Sequence, residues 1–193
     1  MSGGPANASD STAWALLLLS TMIVVTASAI YLQTRVPTTV VILGPAEAAD
    51  TGRPNPGLSA AGLARARELV RVIGDLPKSA PVRAVFATRF RVSQETAEPI
   101  ARHLDLPVQL VDSADHEPLL HRIGTDYRGQ LLVVVTDFNA MPALISDLLS
   151  GVKSGSEADA GPDRFYVVTM PRVGAGRALA LRYGPPVAEA AGS

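Results

Sequence analysis

Leu131-Leu132-Val133-Val134-Val135 is the stretch on which the fold turns. Five consecutive apolar residues, three of them β-branched, are too short for a helix and carry no polar alternation. The run reads as a strand buried on both faces, the kind found in parallel sheets covered by helices on either side. Working outward, Thr38-Thr39-Val40-Val41-Ile42-Leu43 is a second apolar run, stopped by Gly44-Pro45. Residues 82–87 and 108–111 read as further strands. Between them the period changes. Leu63, Ala66, Leu69, Val70 and Ile73 recur at helical spacing behind Ser59, a suitable N-cap, with Arg65, Arg67, Glu68 and Arg71 on the other side. Helices also read over 93–104, 117–123 and 141–149. Residues 165–170 and 178–183 read as an antiparallel strand pair. Polar Gly/Pro-rich loops fill 47–56 and 153–162. This alternation predicts an α/β domain over 36–184, a three-layer α/β/α sandwich with a mostly parallel sheet.

Composition narrows the function. The 193 residues are 47% hydrophobic and 18% charged, so the chain is not intrinsically disordered. Lys and Arg number 17 against 18 Asp and Glu, a net charge of -1 that offers no bulk attraction to nucleic acid. The absence of cysteine excludes disulfides, thiol nucleophiles and Cys-ligated metal. No phosphate-binding Gly-rich loop, EF-hand or HExxH motif is present.

The N-terminal segment stands apart. Residues 1–12 are small and polar and are expected to be disordered, as are 185–193. AWALLLLSTMIVVTASAIYL, from Ala13 to Leu32, is uncharged, with Trp14 and Tyr31 near its ends. A run of about 20 apolar residues matches the roughly 30 Å bilayer core, so a transmembrane helix is expected over 13–33, with the lipid bilayer as its partner. No Lys or Arg precedes it, which favours an uncleaved single-pass anchor over a signal peptide, although Thr26-Ala27-Ser28-Ala29 resembles a cleavage site. The lone flanking Arg35 argues for a cytoplasmic domain under the positive-inside rule.

The order of elements resembles the histidine phosphatase superfamily, also called phosphoglycerate mutase-like, in its short bacterial form. The resemblance rests on Leu58-Ser59-Ala60-Ala61-Gly62 at a helix start and on Thr88-Arg89-Phe90-Arg91-Val92-Ser93-Gln94-Glu95-Thr96-Ala97 at the next strand–helix junction. Ile42-Leu43-Gly44-Pro45-Ala46-Glu47 and Val135-Thr136-Asp137-Phe138-Asn139 occupy the places of the family's two histidine motifs. The resemblance implies a phosphatase scaffold without a cofactor or metal. It also implies where the chemistry should sit. Pro45 falls at the phosphorylated histidine, Gly44 and Val92 at the two phosphate-clamping arginines, and Asp137 at the second histidine. Proline offers no nucleophile and a carboxylate repels phosphate, so phosphohistidine chemistry is expected to be lost. Short family members with an apolar N-terminal segment look secreted, which tips the expected location to the extracytoplasmic side of a cell membrane.

Glu47, Arg91, Asp115, His116, Asp137 and Asn139 remain as a residual cleft. His116 and His121 lie where some family members place an acidic proton donor; His103 lies at the far end of its helix. Without a nucleophile, each reads as a solvated or capping histidine. Glu47, Asp50, Asp112, Asp115 and Asp137 would suit an oxygen-ligand cation site if gathered, but loop carboxylates are ordinarily just exposed. Arg83, Arg89 and Arg91 would suit an anion or a lipid headgroup, or are scattered surface cations. Three functions compete: a catalytically inactive binding or regulatory domain, an active phosphomonoester hydrolase using non-standard residues, and a purely structural envelope component.

Overall fold

A computed structural model describes residues 8–33, 36–50, 52–76, 80–149, 163–172 and 174–183. It divides into two compact units, Met1–Val36 and Pro37–Ser193.

The first unit is one helix, α1 (Ala8–Gln33). It begins inside the stretch expected to be disordered; residues 1–7 lie outside the described residues. Trp14, Leu16 to Leu19, Met22, Ile23, Val24 and Val25 are all exposed. No helix among the described residues is long and apolar enough to cross a membrane, so the expected transmembrane span is corrected.

The second unit is a six-stranded sheet with helices on both faces. Its elements are β1 (Thr38–Leu43), α2 (Ala60–Gly74), β2 (Val82–Thr88), α3 (Arg91–His103), β3 (Val108–Val111), α4 (Glu117–Thr125), β4 (Leu131–Val135), α5 (Met141–Leu148), β5 (Arg164–Met170) and β6 (Arg177–Arg182). The strand order is β3-β2-β4-β1-β5-β6. β1, β2, β3 and β4 pair in parallel, whereas β5 runs antiparallel to both β1 and β6. The sheet is therefore mixed, with β5 and β6 adding an antiparallel pair to its parallel strands. The segments 153–162 and 185–193 lie outside the described residues.

Burial explains the unbroken apolar run in β4, all five of whose residues are buried. Leu132 and Val134 enter a core with Leu119 and Ile123 of α4 and Met141 and Leu144 of α5. Leu131, Val133 and Val135 enter a second core with Leu69 and Ile73 of α2 and Ala97 and Ile100 of α3. The period of two is intact, but both faces are apolar because both are covered. Burying one such side chain is worth roughly 1.5–3 kcal/mol.

α2 starts where the sequence places it. Ser59 caps it, accepting a hydrogen bond from the Gly62 N–H at 3.0 Å. Gly62 has a separate duty: a Cβ there would stand 2.2 Å from the Glu47 carbonyl oxygen. Arg65 departs from its expected solvent-facing position. It turns inward, its side chain only 12% exposed, and pairs with Glu47 at 2.6 Å.

Glu95 fastens the loop before α2 to α3. One carboxylate oxygen accepts the Leu58 N–H at 2.7 Å and the other accepts Arg91 Nε at 2.6 Å. The Leu58 N–H, aided by the Arg91 guanidinium, holds this carboxyl below its ordinary value of 4.5 against the opposing pull of desolvation. A lowered folded value means the contribution is complete above about pH 4.5 and fades as pH falls through the folded value. Glu95→Gln should therefore lower the unfolding free energy at neutral pH and flatten its decline below that pH. Urea titrations of both proteins from pH 7 to pH 3 check this, with the two curves converging at the acid end.

Candidate functional site

The C-terminal ends of β1 and β4 lie side by side. Leu43 pairs with Val135, and the Thr136 N–H donates to the Leu43 carbonyl at 3.0 Å. Gly44-Pro45 and Thr136-Asp137 therefore leave adjacent parallel strands at the edge where open α/β sheets hold ligands. Gly44 and Pro45 are buried.

Aromatic packing occupies the space above this edge. A Cβ built on Gly44 would stand 2.0 Å from Cε1 of Phe138. The Phe138 ring thus fills the volume any side chain at position 44 needs, and it packs against the core under α4 and α5. On the other flank, Val92 joins Ala46, Leu58 and Ala66 in a small apolar cluster. Thr96, fully buried, links the two: its hydroxyl accepts the Ala46 N–H at 3.0 Å and donates to the Val92 carbonyl at 2.7 Å.

The charges at this end are mostly spent on each other. Asp137 Oδ1 lies 3.5 Å from the hydroxyl of buried Thr88, at the outer limit of a hydrogen bond. Glu47 is paired with Arg65, while its second oxygen is buried with no partner among the described residues. Burial raises the Tyr183 phenol well above its usual value, with Arg65, Glu47 and Asp163 supplying the charges around it. The arrangement holds a carboxylate beside a neutral hydroxyl, together with an Arg already neutralised. Among the described residues at the ends of β1 and β4, it offers neither a nucleophile–base pair nor an unpaired cation for a phosphoryl group.

The other members of the expected cleft are engaged elsewhere. Arg91 is exposed and held by Glu95, and its backbone N–H donates to Asn55 Oδ1 at 2.9 Å. Asp115 accepts the Glu117 N–H at 3.1 Å and so caps α4. His116 is nine-tenths buried, with Nδ1 3.0 Å from Asp147 Oδ2 on α5 and Nε2 buried without a partner among the described residues. Asn139 is exposed in the turn before α5. Asp112 accepts the Ala114 N–H within its own turn, and Asp50 is exposed. Among the described residues, no three His, Asp or Glu side chains gather where they could hold a metal ion. Arg83 and Arg89 are exposed, as are His103 and His121.

Sequence reading missed Phe138, Arg65, Tyr183 and the linking hydroxyl of Thr96. Thr96 stood inside the motif that carried the resemblance, and Phe138 directly followed Asp137. The contact of Phe138 with Gly44 joins residues far apart in sequence and follows from the strand order alone.

Comparison with solved structures places the second unit in a known fold. The protein histidine phosphatase SixA complexed with tungstate superimposes with a TM-score of 0.61 at 15% identity, over 75% of this chain and 96% of that one. SixA from Nakamurella multipartitia gives 0.54 at 20% identity, over 79% and 98%. The mycobacterial glucosyl-3-phosphoglycerate phosphatase gives 0.54 at 13%, over 69% and 90%. The chain therefore shares the fold of the histidine phosphatases. No protein-family profile and no curated protein sequence matches it.

Because Phe138 occupies the space over Gly44, the two residues should be coupled. Gly44→Ala is expected to destabilise the protein by about 1–3 kcal/mol, the usual range for overpacking. Adding Phe138→Ala should recover part of that loss, with a coupling of about 0.5–3 kcal/mol in a double-mutant cycle read by chemical denaturation.

Proposed function

We propose that the histidine-phosphatase-like domain is catalytically silent towards phosphomonoesters and acts as a binding or regulatory module. One observation carries the reading: the Phe138 ring fills the space that a phosphate-clamping side chain at position 44 would need. Three neighbouring features support it. Pro45 provides no nucleophile, Val92 is turned into an apolar cluster, and Asp137 is a carboxylate. Phosphoryl transfer through a histidine needs a nucleophile and a concentrated positive charge around the transferred group. Neither is assembled from the described residues at the ends of β1 and β4. The full chain, incubated with para-nitrophenyl phosphate, should release no product above the uncatalysed rate. Turnover that disappeared in Asp137→Asn or His116→Ala would overturn the reading and point to a hydrolase built from non-standard residues.

We also propose a lipid surface as the partner of α1. Its large apolar side chains from Trp14 to Val25 are exposed all round. Even its hydroxyls are satisfied within the helix: Ser20 and Thr21 donate to the Leu17 carbonyl at 2.9 and 2.7 Å, and Thr26 to the Met22 carbonyl at 2.6 Å. Exposed large apolar side chains of this kind gain by leaving water for the apolar boundary of a lipid surface. The full chain should float with phosphatidylcholine vesicles in a density gradient. Leu17→Glu combined with Val24→Glu should leave it at the bottom, and a wild-type chain that stayed there would refute the assignment.

A further inference from the structure

At the opposite end of the sheet lies a second cavity that the phosphatase-like cleft does not use. It opens beside Thr38, the first residue of β1, and Met170, the last of β5, which pair across the sheet. Its volume is about 360 Å³. That falls within the range of small-molecule sites, roughly 300–1,000 Å³.

The lining has two characters. Ile123 of α4, Leu148 of α5 and Met170 supply an apolar wall. Arg128 and Arg172 supply two cations, and Asp147 one carboxylate. Asp147 is already engaged, its Oδ2 lying 3.0 Å from His116 Nδ1. The cations are not: among the described residues, neither guanidinium meets a carboxylate. Arg128 uses Nε to donate to the Gly124 carbonyl at 3.0 Å, and no described bond engages its two terminal nitrogens. Guanidinium groups bind oxyanions through paired, charge-assisted N–H donors. An apolar wall beside two such groups matches an anion that carries a hydrophobic body.

We infer that this cavity binds a small organic oxyanion, with its carboxylate or phosphate head held by Arg128 and Arg172 and its aliphatic or aromatic body against Ile123, Leu148 and Met170. Both arginines are exposed, so replacing them removes the charge without disturbing the core. The site lies at the other end of the strands from Gly44 and Asp137 and does not depend on what that cleft does.

Calorimetric titration of the full chain with hexanoate and with phenyl phosphate tests this directly. Saturable binding of at least one is expected, and which of the two binds more tightly separates a carboxylate from a phosphate head. Arg128→Gln and Arg172→Gln should each weaken it roughly tenfold or more, the usual consequence of losing a charge-assisted donor. Met170→Ala should weaken the organic anion while leaving inorganic phosphate unchanged. Asp137→Ala should leave all of these affinities unchanged, which separates this site from the cleft above Gly44. No heat from either anion at millimolar concentration, or binding that survives the double arginine substitution, would overturn the assignment.

Discussion

The carbonyl of Glu47 is the contact around which the upper end of the domain is built. The Ser59 N–H donates to it at 2.8 Å, and the bare backbone of Gly62 lets α2 press against it. One helical turn further on, Arg65 takes the Glu47 side chain. Residues 59, 62 and 65 recur every three positions, which sets them on one face of the helix start. The loop between is then closed by the Ala48–Leu58 bridge and by the Ala49 N–H on the Gly57 carbonyl at 2.8 Å. A Pro/Gly-rich segment with few side chains to bury is held by satisfying its backbone groups instead. Everything at the ends of β1 and β4 inherits its position from that bracket.

The strands were legible because a residue covered on both faces has no choice of chemistry, and β4 shows this at every position. The start of α2 was legible because Ser59 carries its cap in its own side chain. α3 was harder to bound. It begins at Arg91, two residues before the expected start, because its first N–H is met by Asn55 from a distant loop rather than by a neighbouring cap. The helix also continues through Pro99, whose ring alone would argue for an earlier end. Nor did the pattern reveal that β5 lies antiparallel beside β1: apolar alternation gives a strand its faces and not its neighbours. The apolar run of residues 13–33 showed the opposite weakness. Hydropathy reads a span off the chain, whereas no helix among the described residues is long and apolar enough to cross a membrane.

The elements that carry the candidate residues were legible, and the contacts around those residues were not. Gly44, Pro45, Val92 and Asp137 do lie where the strand ends and the first turn of α3 converge. What fills the space over Gly44 is Phe138, which no local rule connects to it. The charges expected to share the cleft instead satisfy nearer obligations. Asp115 caps a helix, Arg91 serves Glu95, and His116 faces Asp147. A buried or half-buried polar group takes the first adequate partner that the fold supplies, and sequence spacing does not say which partner that is.

The motif over residues 88–97 therefore separates into two kinds of residue. Glu95 and Thr96 satisfy backbone N–H groups, of Leu58 and Ala46, that would otherwise be left without partners as the loop closes. Losing either strands a donor, at a cost of about 1–3 kcal/mol, so the scaffold itself holds them in place. Positions 44 and 92 answer to packing instead. Glycine under an aromatic ring and valine among Ala46, Leu58 and Ala66 both pack. At position 44 the end of β1 is thus packed against an aromatic side chain that also joins the core. The loop around it is held by backbone hydrogen bonds to Glu95 and Thr96.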